Sequence, residues 1–255
     1  MGAVVLSSCA GIILAAGQGK RMESPVPKVL HLLQGKPLIL WCLDSLQKAN
    51  ISPQVVVVPH KDSPIKKLLS EQKCDFSYQP EPKGTGDGAL QGLLALQDKV
   101  DPKTPVLITY GDTPGISPET FTEFLESWKT QNWDIGIMGF YPSSPKGYGR
   151  ILTDSEGSFI KIQEEKDCSP DEKKVTLCNS ALFCGTHGLL LKLCQKIKNH
   201  NASHEYYLTD VPQLALEHRK KVGVFICHKS LEVSGINTPH DLKQMEEGMV
   251  KCAEL

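Results

Sequence analysis

Short apolar runs alternate with helix-forming segments along the first half of the chain, and this order constrains the fold more than any other feature. Strands are predicted at residues 11–16, 54–58, 75–79 and 105–110, and helices lie between them at residues 37–49, 63–71 and 85–96. A strand that is apolar at consecutive positions is buried on both faces, as in parallel sheets covered by helices. The sequence therefore predicts an α/β protein with a Rossmann-like, mostly parallel sheet flanked by helices.

The second half of the chain has shorter connections between its strands. Turn signals such as "SEGS" and "SPKGYG" separate predicted, partly antiparallel strands at residues 134–141, 149–152, 158–163 and 176–184. Helices at 188–198 and 208–219, a strand at 222–227 and a last helix from Thr238 follow. A smaller β-rich lobe added to the main sheet is the simplest interpretation.

Composition excludes several classes of protein. The 255 residues carry a formal net charge of −1, whereas nucleic-acid-binding domains usually have a basic excess. The nine cysteines include no C-x-x-C pair, so neither a disulfide framework nor a zinc site is expected. No apolar run approaches the roughly 20 residues of a membrane span, and residues 4–11 lack the basic start of a signal sequence. We expect a cytoplasmic protein that binds neither nucleic acid nor membrane.

The loop after the first strand is rich in glycine and cations. Gly17 and Gly19 let the backbone turn tightly and present N–H groups to an anion. Arg21 and Lys28 add charge-assisted contacts to phosphate. Met22 stands where a dinucleotide-binding fingerprint needs its third glycine, and no Walker A sequence occurs. The pattern indicates a phosphate site of another kind, with a basic surface loop as the alternative.

Other polar residues lie where predicted strands end. Gln79 ends a strand with an amide that both donates and accepts, which suits a nucleobase edge. Gly84 and Thr85 begin a helix with free backbone donors. Asp112 follows the strand at 105–110, where one carboxylate and several waters can hold Mg²⁺. These strand ends form the ligand-binding edge of an open parallel sheet, although each residue alone is also typical of a turn or a helix cap.

Together, and in this order, these segments resemble the sugar-nucleotide pyrophosphorylases. The motifs are "LAAGQGKRM", "PKVLH", "YGDTP", "GYGR", "EEKD", "EYYLTD" and "GIN", and they extend from about residue 9 to residue 242. The greatest similarity is to the uridyltransferase domain of the bacterial bifunctional N-acetylglucosamine-1-phosphate uridyltransferase/glucosamine-1-phosphate acetyltransferases. The resemblance implies a nucleotide-diphospho-sugar transferase fold and one nucleotidyltransferase domain over residues 1–255. Its nucleotide-binding half would span about 1–133, its sugar-binding half about 134–240, and its C-terminal helix about 238–252.

The resemblance also implies an activity and a role for each position. The activity is Mg²⁺-dependent transfer of UMP from UTP to N-acetylglucosamine 1-phosphate, which gives UDP-N-acetylglucosamine, a precursor of peptidoglycan and lipopolysaccharide, and pyrophosphate. Arg21 and Lys28 would be catalytic, and Asp112 and Asn237 would hold the Mg²⁺. The nucleotide would be bound by Leu14, Ala15, Ala16, Gly17, Gln79, Gly84 and Thr85. The sugar would be bound by Tyr110, Gly111, Gly149, Glu164, Asn179, Tyr207 and Thr209.

The chain departs from the family pattern at several points. Lys20 stands where the family usually has Thr, Asn179-Ser180-Ala181 replaces "NTG", and Thr238 replaces a second Asn. The change beside Asn179 leaves the choice between an amide and a hydroxyl on the sugar open. No hexapeptide repeat of the family's β-helix follows, so acetyltransferase activity is not expected. A natural single-function enzyme and an excised domain both remain open, as do a monomer and a weak dimer.

Other functions remain as alternatives. The same opening motif also resembles cytidylyltransferases, and another sugar 1-phosphate would use the same chemistry. A non-catalytic sugar-nucleotide sensor or regulatory subunit would be expected to have lost Arg21, Lys28 or Asp112, and all three are present. The missing third glycine disfavours a Rossmann-type oxidoreductase.

Overall fold

The computed structural model describes residues 9–17 and 19–253, without the side chains of residues 20, 181 and 251–253. Most of the N-terminal stretch at residues 4–11, where no signal sequence was predicted, lies outside the described residues. The strands are β1 (Cys9–Leu14), β2 (Leu32–Leu33), β3 (Lys36–Pro37), β4 (Ile51–Val58), β5 (Asp75–Tyr78), β6 (Pro105–Tyr110), β7 (Ile135–Phe140), β8 (Arg150–Thr153), β9 (Phe159–Gln163), β10 (Cys178–Thr186) and β11 (Val222–Ile226). The α-helices are α1 (Leu38–Lys48), α2 (Pro64–Leu68), α3 (Thr85–Leu96), α4 (Pro118–Thr130), α5 (His187–Cys194), α6 (Val211–Glu217) and α7 (Pro239–Ala253).

The main sheet has the order β11-β7-β10-β6-β1-β4-β5. Strands β6, β1, β4 and β5 are parallel neighbours, and β11 is parallel to β7. Only β10 is antiparallel to its neighbours β6 and β7 in this order. Strands β8 and β9 form an antiparallel hairpin that joins β10 where Arg150 pairs with Cys178. The predicted fold class, a mostly parallel sheet with an added β-rich part, is confirmed.

Strand β1 is buried on both faces, which accounts for its continuous apolar sequence. Ile12 packs in one hydrophobic cluster with Leu93 of α3, and Ile13 packs in another with Leu43 of α1. Helices α1 and α4 cover one face of the sheet, and α3, α5 and α6 cover the other. The sheet is therefore the middle layer of three, as parallel sheets require.

The predicted boundaries differ from the structure mainly at helix ends. The helix predicted at 208–219 begins with a 3₁₀ turn, Leu208–Asp210, and α6 starts only at Val211. Pro212 lies in the first turn of α6, where its missing N–H costs no hydrogen bond. The hairpin of β2 and β3 has only two residues in each strand, too few for any periodicity in the sequence.

A third hydrophobic cluster brings the end of the chain back to the loop after β1. Met22, Leu33 and Leu38 pack there against Ile236 and Met245. Because Met245 belongs to α7, this contact holds the C-terminal helix against the first loop. The residue that follows Ile236 is Asn237, so the cluster also sets the position of a predicted metal ligand.

Within the described ranges, no helix combines the length and the apolar character needed to cross a membrane. Every cysteine whose side chain is described is a free thiol. Burial raises the pKa of both Cys9 and Cys194 to about 12. Such thiols stay protonated and inert, so no thiolate chemistry is expected from them.

Candidate functional site

The sheet topology brings the predicted site residues to one edge. Because β1, β5 and β6 run parallel in one sheet, Gly17, Gln79 and Asp112 all follow strand ends that lie at the same edge. Strand β10 runs the other way, so its first residues lie at the same edge. The backbone N–H of Asn179 in β10 donates to the carbonyl oxygen of Gly149 at 2.9 Å. Tyr110 of the predicted sugar set hydrogen-bonds Thr85 of the predicted nucleotide set, so members of the two sets lie close together.

Four polar side chains meet at this edge, and we refer to Arg21, Lys28, Asp112 and Asn237 as the charged cluster. The Lys28 ammonium forms an ion pair with Asp112 Oδ2 and donates to Asn237 Oδ1 at 3.1 Å. Arg21 Nη2 donates to the same Asn237 oxygen at 2.8 Å. The Lys28 and Asp112 side chains are only 14% and 13% exposed. Partial burial makes these charge contacts stronger than surface ion pairs.

The backbone around Asn237 explains why its side chain can join the cluster. The N–H of Ile236 donates to the Asp112 carbonyl oxygen at 2.8 Å. Thr238 Oγ1 caps α7 by accepting from the Asp241 N–H at 3.2 Å, and Asp241 Oδ2 accepts in return from the N–H groups of Asn237 and Thr238, both at 2.9 Å. Thr238 is therefore the capping residue, and the Asn237 side chain is left for the site.

Asp241 supports the site but was not among the residues predicted from the sequence. A Ser or Thr followed three residues later by an acidic residue is the signature of a capping box. Thr238 and Asp241 have that spacing, so the pattern could have revealed the contact.

Asp112 and Asn237 fit the magnesium site that the resemblance implies. Both direct an oxygen atom at one cation, the Lys28 ammonium, and such oxygens are the ligands that Mg²⁺ prefers. In the described part of the chain, no three His, Cys, Asp or Glu side chains form a metal-binding group. A magnesium ion held here would take most of its ligands from water and substrate.

The loop after β5 is fixed by the side chain of Gln79. Its Nε2 donates to the Gly84 carbonyl oxygen at 2.8 Å and to Asp87 Oδ2 at 2.9 Å. Gly84 has a φ of +108°, and a Cβ there would lie 2.5 Å from the carbonyl oxygen of Tyr206. Glycine is therefore required both for the backbone conformation and for the close approach. Asp87, at the start of α3, was not among the predicted site residues.

A strap of hydrogen bonds, formed by residues 83–86 and 206–208, connects the two sides of the site. The Tyr206 N–H donates to the Lys83 carbonyl oxygen at 2.8 Å, and the Gly86 N–H donates to the Tyr206 carbonyl oxygen at 2.7 Å. Thr85 Oγ1 accepts from the Leu208 N–H at 3.0 Å. The segment expected to contact the base is thus fastened to the segment expected to contact the sugar.

Buried acceptors gather on the sugar side. Thr209 Oγ1 donates to Glu164 Oε1 at 2.9 Å, and a Cβ on Gly149 would lie 3.6 Å from Glu164 Oε2. Burial raises the pKa of Glu164, and the Thr209 hydrogen bond only partly opposes this. Asn179 Oδ1 is buried without a hydrogen-bond partner among the described residues. An unpaired buried acceptor is costly, so this atom is a candidate for contact with a ligand.

The two predicted tyrosines lie close to these groups. Burial raises the pKa of Tyr110, while a hydrogen bond with Thr85 opposes the rise. Burial also raises the pKa of Tyr207. A hydrogen bond with Ser203 lowers this pKa, and the negative charge of Glu164 raises it. Both phenols therefore remain neutral at ordinary pH and can serve as hydrogen-bond donors.

Arg150 is a buried support that was not singled out in the sequence. Its side chain is 2% exposed, and one of its guanidinium nitrogens lies 2.7 Å from Glu165 Oε2. It also donates to the carbonyl oxygen of Tyr148. The pair joins the start of β8 to the turn that follows Glu164. Both residues belong to motifs, "GYGR" and "EEKD", from which only Gly149 and Glu164 were chosen.

The backbone groups after β1 are only partly available to a ligand. The Ala15 N–H donates to the Val57 carbonyl oxygen, and the Leu14 carbonyl accepts from the Gly111 N–H, both at 2.9 Å. Among the described residues, the N–H groups of Ala16 and Gly17 have no backbone hydrogen-bond partner. These two groups are therefore better placed than that of Ala15 to contact a nucleotide.

Residues 11–153, more than half of the chain, match the MobA-like NTP transferase domain. The chain belongs to this family. The family is one of nucleotidyltransferases, and the match includes most of β1, the loop with Arg21 and Lys28, and Asp112. It ends within the β8–β9 hairpin, so the later residues of the site lie beyond it.

Similarity to complete proteins extends further along the chain. This chain is 34% identical over 235 residues to "Bifunctional protein GlmU" of Syntrophomonas wolfei, and the alignment covers 92% of this chain and 51% of that protein. The protein of the same name from Desulfotalea psychrophila is 32% identical over 236 residues, covering 92% and 69%. That from Thermoanaerobacter pseudethanolicus is 36% identical over 240 residues, covering 94% and 51%. The chain thus spans about half the length of most of these relatives.

Proposed function

We propose that this nucleotidyltransferase transfers UMP from UTP to a sugar 1-phosphate, with N-acetylglucosamine 1-phosphate as the acceptor, and releases pyrophosphate. The observation that carries the proposal is the charged cluster, which lies at the same carboxyl edge of the sheet as the Gln79 loop. Cations and oxygen ligands at one point suit a triphosphate, and the buried acceptors near Glu164 suit a sugar. The choice of uridine and of the N-acetylated sugar rests on the sequence resemblance.

The proposed reaction needs positioning and charge neutralisation more than covalent help from the protein. An oxygen of the sugar phosphate attacks the α-phosphorus of UTP, the new P–O bond forms, and the bond to the pyrophosphate breaks. Arg21 and Lys28 offset the charge that grows on the leaving pyrophosphate. Asp112 and Asn237 would hold the Mg²⁺, which would supply Lewis-acid neutralisation of the phosphate oxygens. Lys28 must exchange Asp112 for phosphate when the substrates bind, because its ammonium otherwise occupies that carboxylate.

Sugar recognition in this proposal depends on acceptors that are already desolvated. Glu164 Oε1 is taken by Thr209, which leaves Oε2 for a sugar hydroxyl. Asn179 Oδ1 has no protein partner in the described residues, so a hydroxyl or the N–H of an acetamido group would complete its hydrogen bonding. Gaining such a bond contributes more than a surface contact because the desolvation cost is already met.

The test is pyrophosphate release in the presence of Mg²⁺, with UTP, CTP and GTP each combined with N-acetylglucosamine, glucose and glucosamine 1-phosphates. We expect release only with UTP and the N-acetylated sugar, and loss of release when EDTA removes the metal. Release with a different pair would keep the chemistry and change the substrate. Tight binding of a UDP-sugar with no release under any condition would contradict the proposal and favour a sensor.

A further inference from the structure

The carboxamide of Gln79 can adopt only one of its two orientations. Gln79 is 7% exposed, and its Nε2 donates to the Gly84 carbonyl and to the Asp87 carboxylate at 2.8 and 2.9 Å. Both partners are acceptors only. Turning the amide over would direct Oε1 at two other acceptors and would leave the NH₂ group without them. The orientation therefore follows from the chemistry of the neighbours.

This arrangement leaves a single group on Gln79 for a ligand. An amide nitrogen has two hydrogens, and both are donated inside the protein. Oε1 has no hydrogen-bond partner among the described residues. It is also not one of the polar side-chain atoms that are completely buried without a partner. It lies 3.3 Å from where a Cβ on Gly88 would be, a point that is itself 3.5 Å from Leu14 Cδ2. Oε1 therefore faces the space between the end of β1 and the start of α3.

A fixed acceptor distinguishes the pyrimidine bases. Uracil carries a hydrogen on N3 and can donate to Oε1, whereas cytosine carries a lone pair there and is repelled. Discrimination by a buried hydrogen-bonding group is strong because the wrong partner leaves that group unpaired. A carboxamide that is free to turn would lose this discrimination, since its NH₂ group would then serve cytosine equally well.

We propose that Asp87 is a positioning residue that sets the choice of uracil over cytosine by locking the Gln79 carboxamide. The inference rests on the proposed function, in which Gln79 contacts the base. Gly84 alone would hold the amide by one hydrogen bond, and the Asp87 carboxylate provides the second. Its other oxygen, Oδ1, is approached by Gln91 Nε2 at 3.5 Å, one turn further along α3. The negative charge also lies in the first turn of α3, where the helix dipole favours it.

The experiment measures binding of UDP and of CDP by calorimetry for the wild type and for D87L, D87N and Q91L. For D87L we expect the ratio of the two dissociation constants to fall by about tenfold, the effect of losing one charge-assisted hydrogen bond. D87N should keep most of the ratio, because its side-chain oxygen still accepts from Gln79. Q91L is the matched control, which changes the neighbour on the other side of Asp87 and should leave the ratio unchanged.

The ratio separates positioning from a general structural effect. Loss of structure would weaken both nucleotides alike and would not be rescued by D87N. A wild type that prefers UDP and a D87L variant with the same preference would overturn the inference and leave the proposed function intact. A wild type that binds both nucleotides equally would also overturn it, and one that binds neither would overturn both. If D87L melts well below the wild type, D87A, which also lacks an acceptor, decides by the same ratio.

Discussion

The two ends of the candidate site differ in charge and in how their polar groups are satisfied. At the end expected to bind phosphate, Arg21 and Lys28 are engaged with Asp112 and Asn237. At the end expected to bind sugar, burial raises the pKa of Glu164, and the negative charges of Asp210 and Asp167 raise it further. Burial and the charge of Asp167 likewise raise the pKa of Asp210. Arg150, a buried cation at the sugar end, is paired with Glu165.

This difference teaches that the two ends bind in different ways. Lys28 is already paired with Asp112, so a phosphate that takes the place of this carboxylate replaces one charge contact by another. Sugar hydroxyls are neutral and need acceptors rather than counter-charges. Acceptors such as Asn179 Oδ1, which have no partner, are completed by the ligand instead. The same edge of one sheet thus serves two kinds of recognition.

The largest expected effect comes from removing the charge of the carboxylate at the phosphate end. In Asp112→Asn, Lys28 loses its ion pair and the expected Mg²⁺ loses its charged ligand. Turnover measured by pyrophosphate release should fall about a hundredfold, or roughly 2.7 kcal/mol of activation free energy. The melting temperature should change little, because the backbone contact of Asp112 with Ile236 is kept.

Asp62→Asn is the control for this change, because Asp62 is exposed on the surface and should tolerate the loss of charge without effect on turnover. Full activity of the Asp112→Asn enzyme at saturating Mg²⁺ would contradict the metal assignment and would leave the two ends with no functional difference.

The next effect concerns the strap, which fastens the segment expected to contact the base to the sugar end. In Gly84→Ala, the new Cβ would meet the carbonyl oxygen of Tyr206 at 2.5 Å, and the residue would keep a φ of +108°. We expect the free energy of unfolding to fall by about 2 kcal/mol, from the strained backbone and the forced separation. Urea denaturation followed by circular dichroism measures this change.

Gly35→Ala is the matched control for the strap. Gly35 also has a positive φ, +78°, but a Cβ there meets nothing within 4 Å. It should therefore reveal the cost of the backbone conformation alone, and Gly84→Ala should cost clearly more. Equal losses in the two variants would mean that the strap adds nothing to stability.

The smallest effect is a pH dependence at the sugar end. Burial, with a further contribution from Asp167, raises the pKa of Asp210 from 3.8 to about 6. The folded protein therefore favours protonated Asp210, so this contribution to stability is present below about pH 4 and is lost as the pH rises through 6. Asp210→Asn should match the wild type in free energy of unfolding at pH 4. It should exceed it by about 1 kcal/mol above pH 7, after allowance for solvent screening.

Unfolding by urea at several pH values tests this prediction. Asp171→Asn, at a side chain that is 91% exposed, is the control and should show no such trend. A constant difference between Asp210→Asn and the wild type from pH 4 to pH 8 would mean that the sugar end does not penalise negative charge.

Much of the fold was predictable because its signals are local. The apolar runs of β1, β4 and β6 appear as strands because both faces are buried, and the helices between them follow from their spacing. The end of α2 and the split of the segment at 208–219 were not predictable to the residue. Tertiary packing decides where α2 ends, and the placement of Pro212 in the first turn of α6 fits the start of that helix at Val211.

The site was predictable only in part, for a related reason. Glycine, cations and carboxylates at strand ends indicate which loops bind a ligand, so Arg21, Lys28 and Asp112 could be chosen from the sequence. Asp87 and Asp241 could not be chosen in this way, because each acts on another site residue and not at a strand end. The role of Asp87 becomes visible only when its hydrogen-bond partners are known. For Asp241, the capping-box spacing from Thr238 was a signal in the sequence for the contact that the structure shows.

By itself, the amino-acid sequence determined the α/β order, the loops that form the ligand-binding edge and the family pattern, since these depend on neighbouring residues. The tertiary structure alone decided the partner of each polar group. Arg21 and Asn237 are 216 positions apart and meet because α7 packs against the hairpin of β2 and β3. Which side chains become paired and buried depends on that long-range packing, and their charge and hydrogen bonding follow from it.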